Sequence, residues 1–203
     1  VGAALGKAGE VPEAIRKATE AAKRGLSNIQ DTPRALDVWG RPETKKLFAD
    51  MGVLSGVELE ARHEIELHSY VLKIQIESRV CGDLALNHII PAAINYQNRL
   101  LENVRGLREV LGADKSKKAA VTQVELIEEI SEHLGKLKTL TDDMIEARKK
   151  ANTIEDHREK AIAYCDKVKP FLDEIRYHSD KLEITIDDEL WPLPKLRELL
   201  FTR

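Results

Sequence analysis

"SGVELEARHEIELHSYVLKIQIESRVCGDLALNHIIPAAINYQNRLLENVRGLREVLG", residues 55–112, decides the fold. It opens on Ser55-Gly-Val-Glu58, a capping box in which the Ser55 hydroxyl takes the Glu58 amide and the Glu58 carboxylate reaches back. No cluster of turn residues follows until "LGADKS" at 111–116. An unbroken helix over this stretch would run roughly 80 Å at 1.5 Å per residue. Its apolar residues recur at spacings of three and four. One row is Leu72, Ile76, Val80, Leu86, Ile90, Ala93, Leu100, Val104, Leu107 and Leu111, and a second is Leu67, Tyr70, Ile74, Cys81 and Leu84. Two rows predict a wide buried face, as in a helical bundle, and not the narrow seam of a lone coiled coil. Pro91 lacks an amide hydrogen and its ring clashes with the Asn87 carbonyl, so a kink is expected between 87 and 91.

The same grammar extends outward. Pro12, Pro33 and Pro42 each stand where a first helical turn would accept them, and Gly25, Gly40 and Gly52 each stand at a stop. Three short helices are predicted, each too short to be stable alone. Residues 1–9, small and glycine-rich, read as a frayed end. Beyond "LGADKS", the spacing of Ala120, Val124, Ile127, Ile130, Leu134, Leu137, Thr141 and Met144 predicts a helix over about 116–151. Tyr164, Val168, Phe171, Ile175, Leu182 and Ile186 predict another over about 156–187, kinked at Pro170. The short connections make consecutive helices antiparallel neighbours. No strand pattern or internal repeat stands out. The fold class is therefore all-α: an antiparallel bundle of long helices, one very long and kinked, with short helices before it and one after. The expected division is 1–54, short linking helices, and 55–203, the bundle with its tail.

Composition narrows the function classes. Charged residues are 33% and apolar residues 42% of the chain, so a packed core is possible and disorder is not expected. Aromatics at 4% favour helices over sheets. A net charge of -3 argues against nucleic acid and against an anionic membrane as partners. No apolar run is long enough to span a bilayer. Two cysteines, Cys81 and Cys165, make no disulfide framework and fit a cytoplasmic setting. The first residue is Val1, which fits a processed or excised piece of a longer chain.

The chemistry-bearing residues give no catalytic constellation. "RHEIELH" at 62–68 places His63 and His68 five apart, about 140° around a helix, so they cannot share a metal as HExxH does. His88, His133, His157 and His178 are scattered along the sequence with no Glu-x-x-His spacing. Phosphate-binding loops and nucleophile elbows are absent. On a helix, Arg79, Asp83 and Asn87 stack at spacings of four beside Ile76, Leu86 and Ile90. They read as a partly buried network holding the bundle's register, with a ligand site as the alternative. On the network reading, Asp83→Ala would cost on the order of 3 kcal/mol, the cost of breaking a buried pair. In "WPLPKLRELLFTR" at 191–203, Trp191, Leu196, Leu199, Leu200 and Phe201 carry enough apolar surface to require docking, either on their own bundle or on a neighbouring subunit.

The long stretch "ELEARHEIELHSYVLKIQIESRVCGDLALNHIIPAAINYQNRLLENV" (58–104) is not alone. With "RKKAN" (148–152), "YCDKVKP" (164–170), "IRYHSDKLE" (175–183) and the closing "DDELWPLPKLRELLFTR", it closely resembles the C-terminal region of type III glutamine synthetases, the long bacterial form. The likeness runs from "KRGLSNIQDTP" at residue 23 to the end. The resemblance implies a parent reaction, the ATP-dependent joining of ammonium to glutamate with magnesium or manganese. It also implies a ring-shaped homo-oligomer and a catalytic barrel upstream in the same polypeptide. The family's catalytic signatures, such as N-R-F-E-F-R, do not occur in this chain, so no catalytic, cofactor-binding or metal-binding residue is carried over. The expected role is a non-catalytic domain of assembly, stability or regulation. The alternative is a free-standing helical interaction module, which the coding sequence upstream of Val1 would distinguish.

Overall fold

The computed structural model describes Lys17 and residues 19–200, and these are helical with no strand among them. The described residues form two compact units. The first takes in the described residues up to Lys73 together with Ile154–Cys165. The second takes in Ile74–Thr153 and the described residues from Asp166 onward.

In the first unit, residues 19–23 are helical, and the predicted start of that helix at Pro12 lies outside the described residues, as does the stretch 1–9. Helix α1 (Thr32–Leu36) is capped by Asp31, whose carboxylate accepts from the Arg34 amide at 3.0 Å. A 3-10 turn follows at Asp37–Gly40. Helix α2 (Pro42–Asp50) opens on its proline and closes on Gly52, which has φ of 66°. There the Val53 amide reaches back to the Phe48 carbonyl at 3.1 Å, the wrap-around bond of a glycine stop. Helix α3 (Gly56–Asp83) supplies its residues up to Lys73 to this unit and the rest to the second. Its capping box is formed: the Ser55 amide donates to Glu58 at 2.7 Å and the Glu58 amide to the Ser55 hydroxyl at 3.3 Å. The core gathers Pro33, Leu59, Leu67, Val71, Ala161 and Tyr164.

The second unit is a bundle of long helices. A wide π-helical turn at Leu84–Ile89 leads into α4 (Ile90–Ala119). Helix α5 (Val121–Asn152) packs against α4 and also against α7 (Lys169–Thr185). Between them in sequence, α6 (His157–Ala163) belongs to the first unit. The core residues of α5, Ile130, Leu137 and Met144, recur every seven residues, as do Ile175 and Leu182 of α7 and Ala93 and Leu100 of α4. That period is the bundle seam. Gln97 bonds the Ile127 carbonyl and the Ser131 hydroxyl, and Gln123 bonds Asn103, so α4 and α5 run antiparallel. These pairings converge on a reversal at Gly112, inside the predicted "LGADKS" connection. Gly112 has φ of 78° and ψ of 169°, and helical residues flank it closely on both sides. The predicted helix start near 116 is therefore moved: residues 113–119 are already helical, and the backbone bends again at Ala120.

Two expectations change at the prolines. Each predicted kink is a π-helical turn, one at Leu84–Ile89 ahead of Pro91 and one at Tyr164–Val168 ahead of Pro170. At the first, the Ile90 amide bonds Ala85, five residues back. Widening the turn relieves the clash between the proline ring and the carbonyl four residues before it. It also takes up an extra residue, so rows read at helical spacing on its two sides do not share one face. This is why Leu72, Ile76 and Val80, predicted as core, are 41%, 60% and 51% exposed. The buried row is Leu67, Val71, Ile74, Ser78 and Ala85, of which Leu67 and Ile74 belong to the second predicted row.

Candidate functional site

The Arg79–Asp83–Asn87 stack lies on the side of α3 and its π turn away from the core, and all three residues are exposed. Asn87 donates its amide to Asp83 at 2.5 Å. No hydrogen bond or ion pair joins Arg79 to Asp83. The partly buried network is thereby corrected to a solvated pair with a neighbouring cation. The π turn at Leu84–Ile89 shifts the helical phase, so Ile76 does not share a face with Ile90 as regular helical spacing predicts. Cys81 nearby is half-buried, and burial pushes its thiol above the ordinary range, away from the reactive thiolate.

The most concentrated ionic geometry is in the first unit and escaped the sequence reading. Arg158, at the start of α6, donates Nε and Nη2 to the two carboxylate oxygens of Asp37 at 2.6 and 2.7 Å. The hydrogen bond from Arg158 is the main cause holding the Asp37 carboxyl below its usual range, and the same bond raises the Arg158 guanidinium. His63 Nε2 lies 3.9 Å from Asp37, buried and without a hydrogen bond. Asn28, Gln30, Arg34 and Arg41 join Asp37 and Arg158 around an open polar cleft of about 560 Å³. Asp37 and Arg158 stand 121 residues apart and belong to no motif, so only the folded chain brings them together. The clip ties α6 to the 3-10 turn after α1. It offers no nucleophile, and among the described residues no three His, Cys, Asp or Glu side chains converge as a metal site.

Two further groupings are built by the fold. His133 of α5 and His178 of α7, read as scattered in the sequence, meet with their Nδ1 atoms 2.9 Å apart. At the C-terminus of α7, Lys195 is only 9% exposed. Its ammonium donates to the Glu183 and Ile186 carbonyls at 2.8 and 3.2 Å and pairs with Asp188 at 2.5 Å. It thus caps carbonyls that a helix end leaves open. Trp191 is buried at 8% exposure within the same unit. The short helix α8 (Leu196–Leu199) follows. Leu199 and Leu200 are 59% and 73% exposed, so of the two expected dockings the one on their own bundle does not hold for them, while docking on a neighbouring subunit stays open. The Leu196 side chain and Phe201 lie outside what is described. The signal for Lys195 was absent from the sequence, because a lone lysine beside prolines reads as solvated.

Comparison with known proteins adds what the geometry lacks. A family model described as "Glutamine synthetase C-terminal domain" matches residues 16–108. The chain is 48% identical over 91% of its length to a glutamine synthetase of Bacteroides fragilis (strain YCH46). It is 31% identical over 90% of its length to a type-3 glutamine synthetase of Dictyostelium discoideum, and 25% identical over 90% to a glutamine synthetase of Butyrivibrio fibrisolvens. The matched part is 25%, 25% and 26% of those relatives, so the chain spans about a quarter of their length.

Proposed function

Because this chain belongs to the glutamine synthetase C-terminal domain family, we propose that it acts as the non-catalytic helical domain of a type III glutamine synthetase, serving assembly and stability. The observation that carries this reading is the 48% identity spread over nearly the whole chain yet over only a quarter of the relative. On this reading the ligation of ammonium to glutamate, driven by ATP, takes place in a catalytic region of the same polypeptide. The other subunits of a ring-shaped homo-oligomer are the remaining partners, and the setting is cytoplasmic. No helix among the described residues is long and apolar enough to cross a membrane. On this reading the magnesium or manganese of the ligase reaction is held by the catalytic region of the longer polypeptide.

Isothermal calorimetry of the chain with ATP and magnesium is the direct test. A flat titration is expected, alongside loss of the assembled state by light scattering when the domain is removed from the longer enzyme. A clear nucleotide isotherm, or glutamine formed by the chain alone, would overturn the proposal.

A further inference from the structure

We propose that His133 and His178 form a proton-sensitive latch between α5 and α7, closed while the pair carries at most one positive charge and opened when both rings are protonated. The evidence is the geometry of their meeting. The two Nδ1 atoms are 2.9 Å apart, and the ring centres are 5.2 Å apart at 52°. That centre separation is about as large as two imidazoles joined nitrogen to nitrogen at this distance can have. The nitrogens therefore meet head-on, one N–H donating to one lone pair. A metal bound by both rings would need the lone pairs to converge from the side, so this arrangement does not chelate.

A head-on pair has a definite proton capacity. Neutral, it holds one hydrogen between the rings. One further proton is accommodated at an outer Nε2 with the central bond intact. His133 Nε2 lies 4.0 Å from the Glu129 carboxylate, which suits a charge there. The next proton has no such place: it would set an N–H on each of two facing nitrogens. The bond is then lost, two like charges stand at contact, and one ring must swing out of the α5–α7 seam.

The surroundings bear on where this happens. Glu129, Glu132 and Lys136 from α5 and Glu174 from α7 are the charged groups facing the pair, and Tyr177 meets His178 edge-on at 5.2 Å. Burial is the largest influence on His178 and lowers its pKa. His133 and Lys136 lower it further, against Glu132 and Glu174. An unfolded histidine titrates near about 6.5. The sign follows: the unfolded chain binds the extra proton first as pH falls, so the latch contributes its full stability above about pH 6.5 and loses it progressively below.

Titration of the 203-residue chain, read from the imidazole nitrogen resonances, tests the pair without altering it. The pair should take up its two protons in separated steps, with His178 protonated only below the ordinary histidine range. Independent titration of both rings at ordinary midpoints would overturn the latch. His178→Gln, which keeps a donor and an acceptor but takes no proton, gives a second reading. The fall in thermal midpoint from pH 7.5 to 5.5 should be clearly larger in the wild type than in the variant, and equal falls would count against the proposal.

Discussion

Asp37 and Asp83 show how much one carboxylate's worth depends on its neighbours. Asp37 takes both hydrogen bonds of a guanidinium fork and is 30% exposed, while Arg158 is 47% exposed, so solvent screens the pair in part. Asp37→Asn is expected to cost about 1 kcal/mol at neutral pH, near the upper end for an exposed pair. Because the folded pKa lies below the ordinary 3.8, that stability is present above pH 4 and lost as pH falls through the lower folded value. Urea denaturation of both chains should therefore show a gap that holds from pH 7 to 5 and narrows only in stronger acid. Asp83→Ala, by contrast, removes one bond to the exposed Asn87 and is expected to change stability by no more than about 0.5 kcal/mol. The sequence pointed the other way, to Asp83, because spacing reports helical faces and says nothing of which face is covered. Asp37 was silent because its partner is distant in the chain.

At the level of helices, starts and stops were legible because they are local chemistry. Ser55 and Glu58, Asp31, Pro42 and Gly52 act where their types place them. What was not legible is helical phase across Pro91 and Pro170, since a proline announces a disturbance without saying whether the backbone bends or widens. Gly112 is the sharpest local constraint. Its φ of 78° with ψ of 169° lies in a region open to little but glycine, and a Cβ there would meet nothing within 4 Å. The cost of Gly112→Ala is thus conformational and not steric crowding by neighbours, about 1–3 kcal/mol. Thermal unfolding should show the loss, and an unchanged midpoint would mean that the α4–α5 reversal adopts another backbone. Gly106→Ala is a fitting control, since it too meets nothing and sits in regular helix. It should be neutral or gain up to about 1 kcal/mol.

Across the whole molecule, the all-α class was legible from periodicity alone, whereas the function was not. The helices carry no motif whose chemistry names a reaction, and only the resemblance of long stretches to glutamine synthetases did so. Trp191 removes apolar surface from water inside the second unit, and Lys195 closes the carbonyl end of α7 from a position beyond it in the chain. Leu199 and Leu200 add little to this docking, being exposed. The tail therefore divides by function within a few residues. Removing residues 191–203 should uncover the core under Trp191 and leave the Glu183 and Ile186 carbonyls without their lysine, with a loss of about 3 kcal/mol or more from the two causes together. Removing only residues 199–203 should leave the thermal midpoint close to that of the intact chain. If the short truncation is as damaging as the long one, the last residues are docked after all. If neither truncation matters, the cap on α7 is not a stabilising contact. A short truncation that spares the chain's stability but breaks up the longer enzyme, seen by light scattering, would place Leu199 and Leu200 against another subunit.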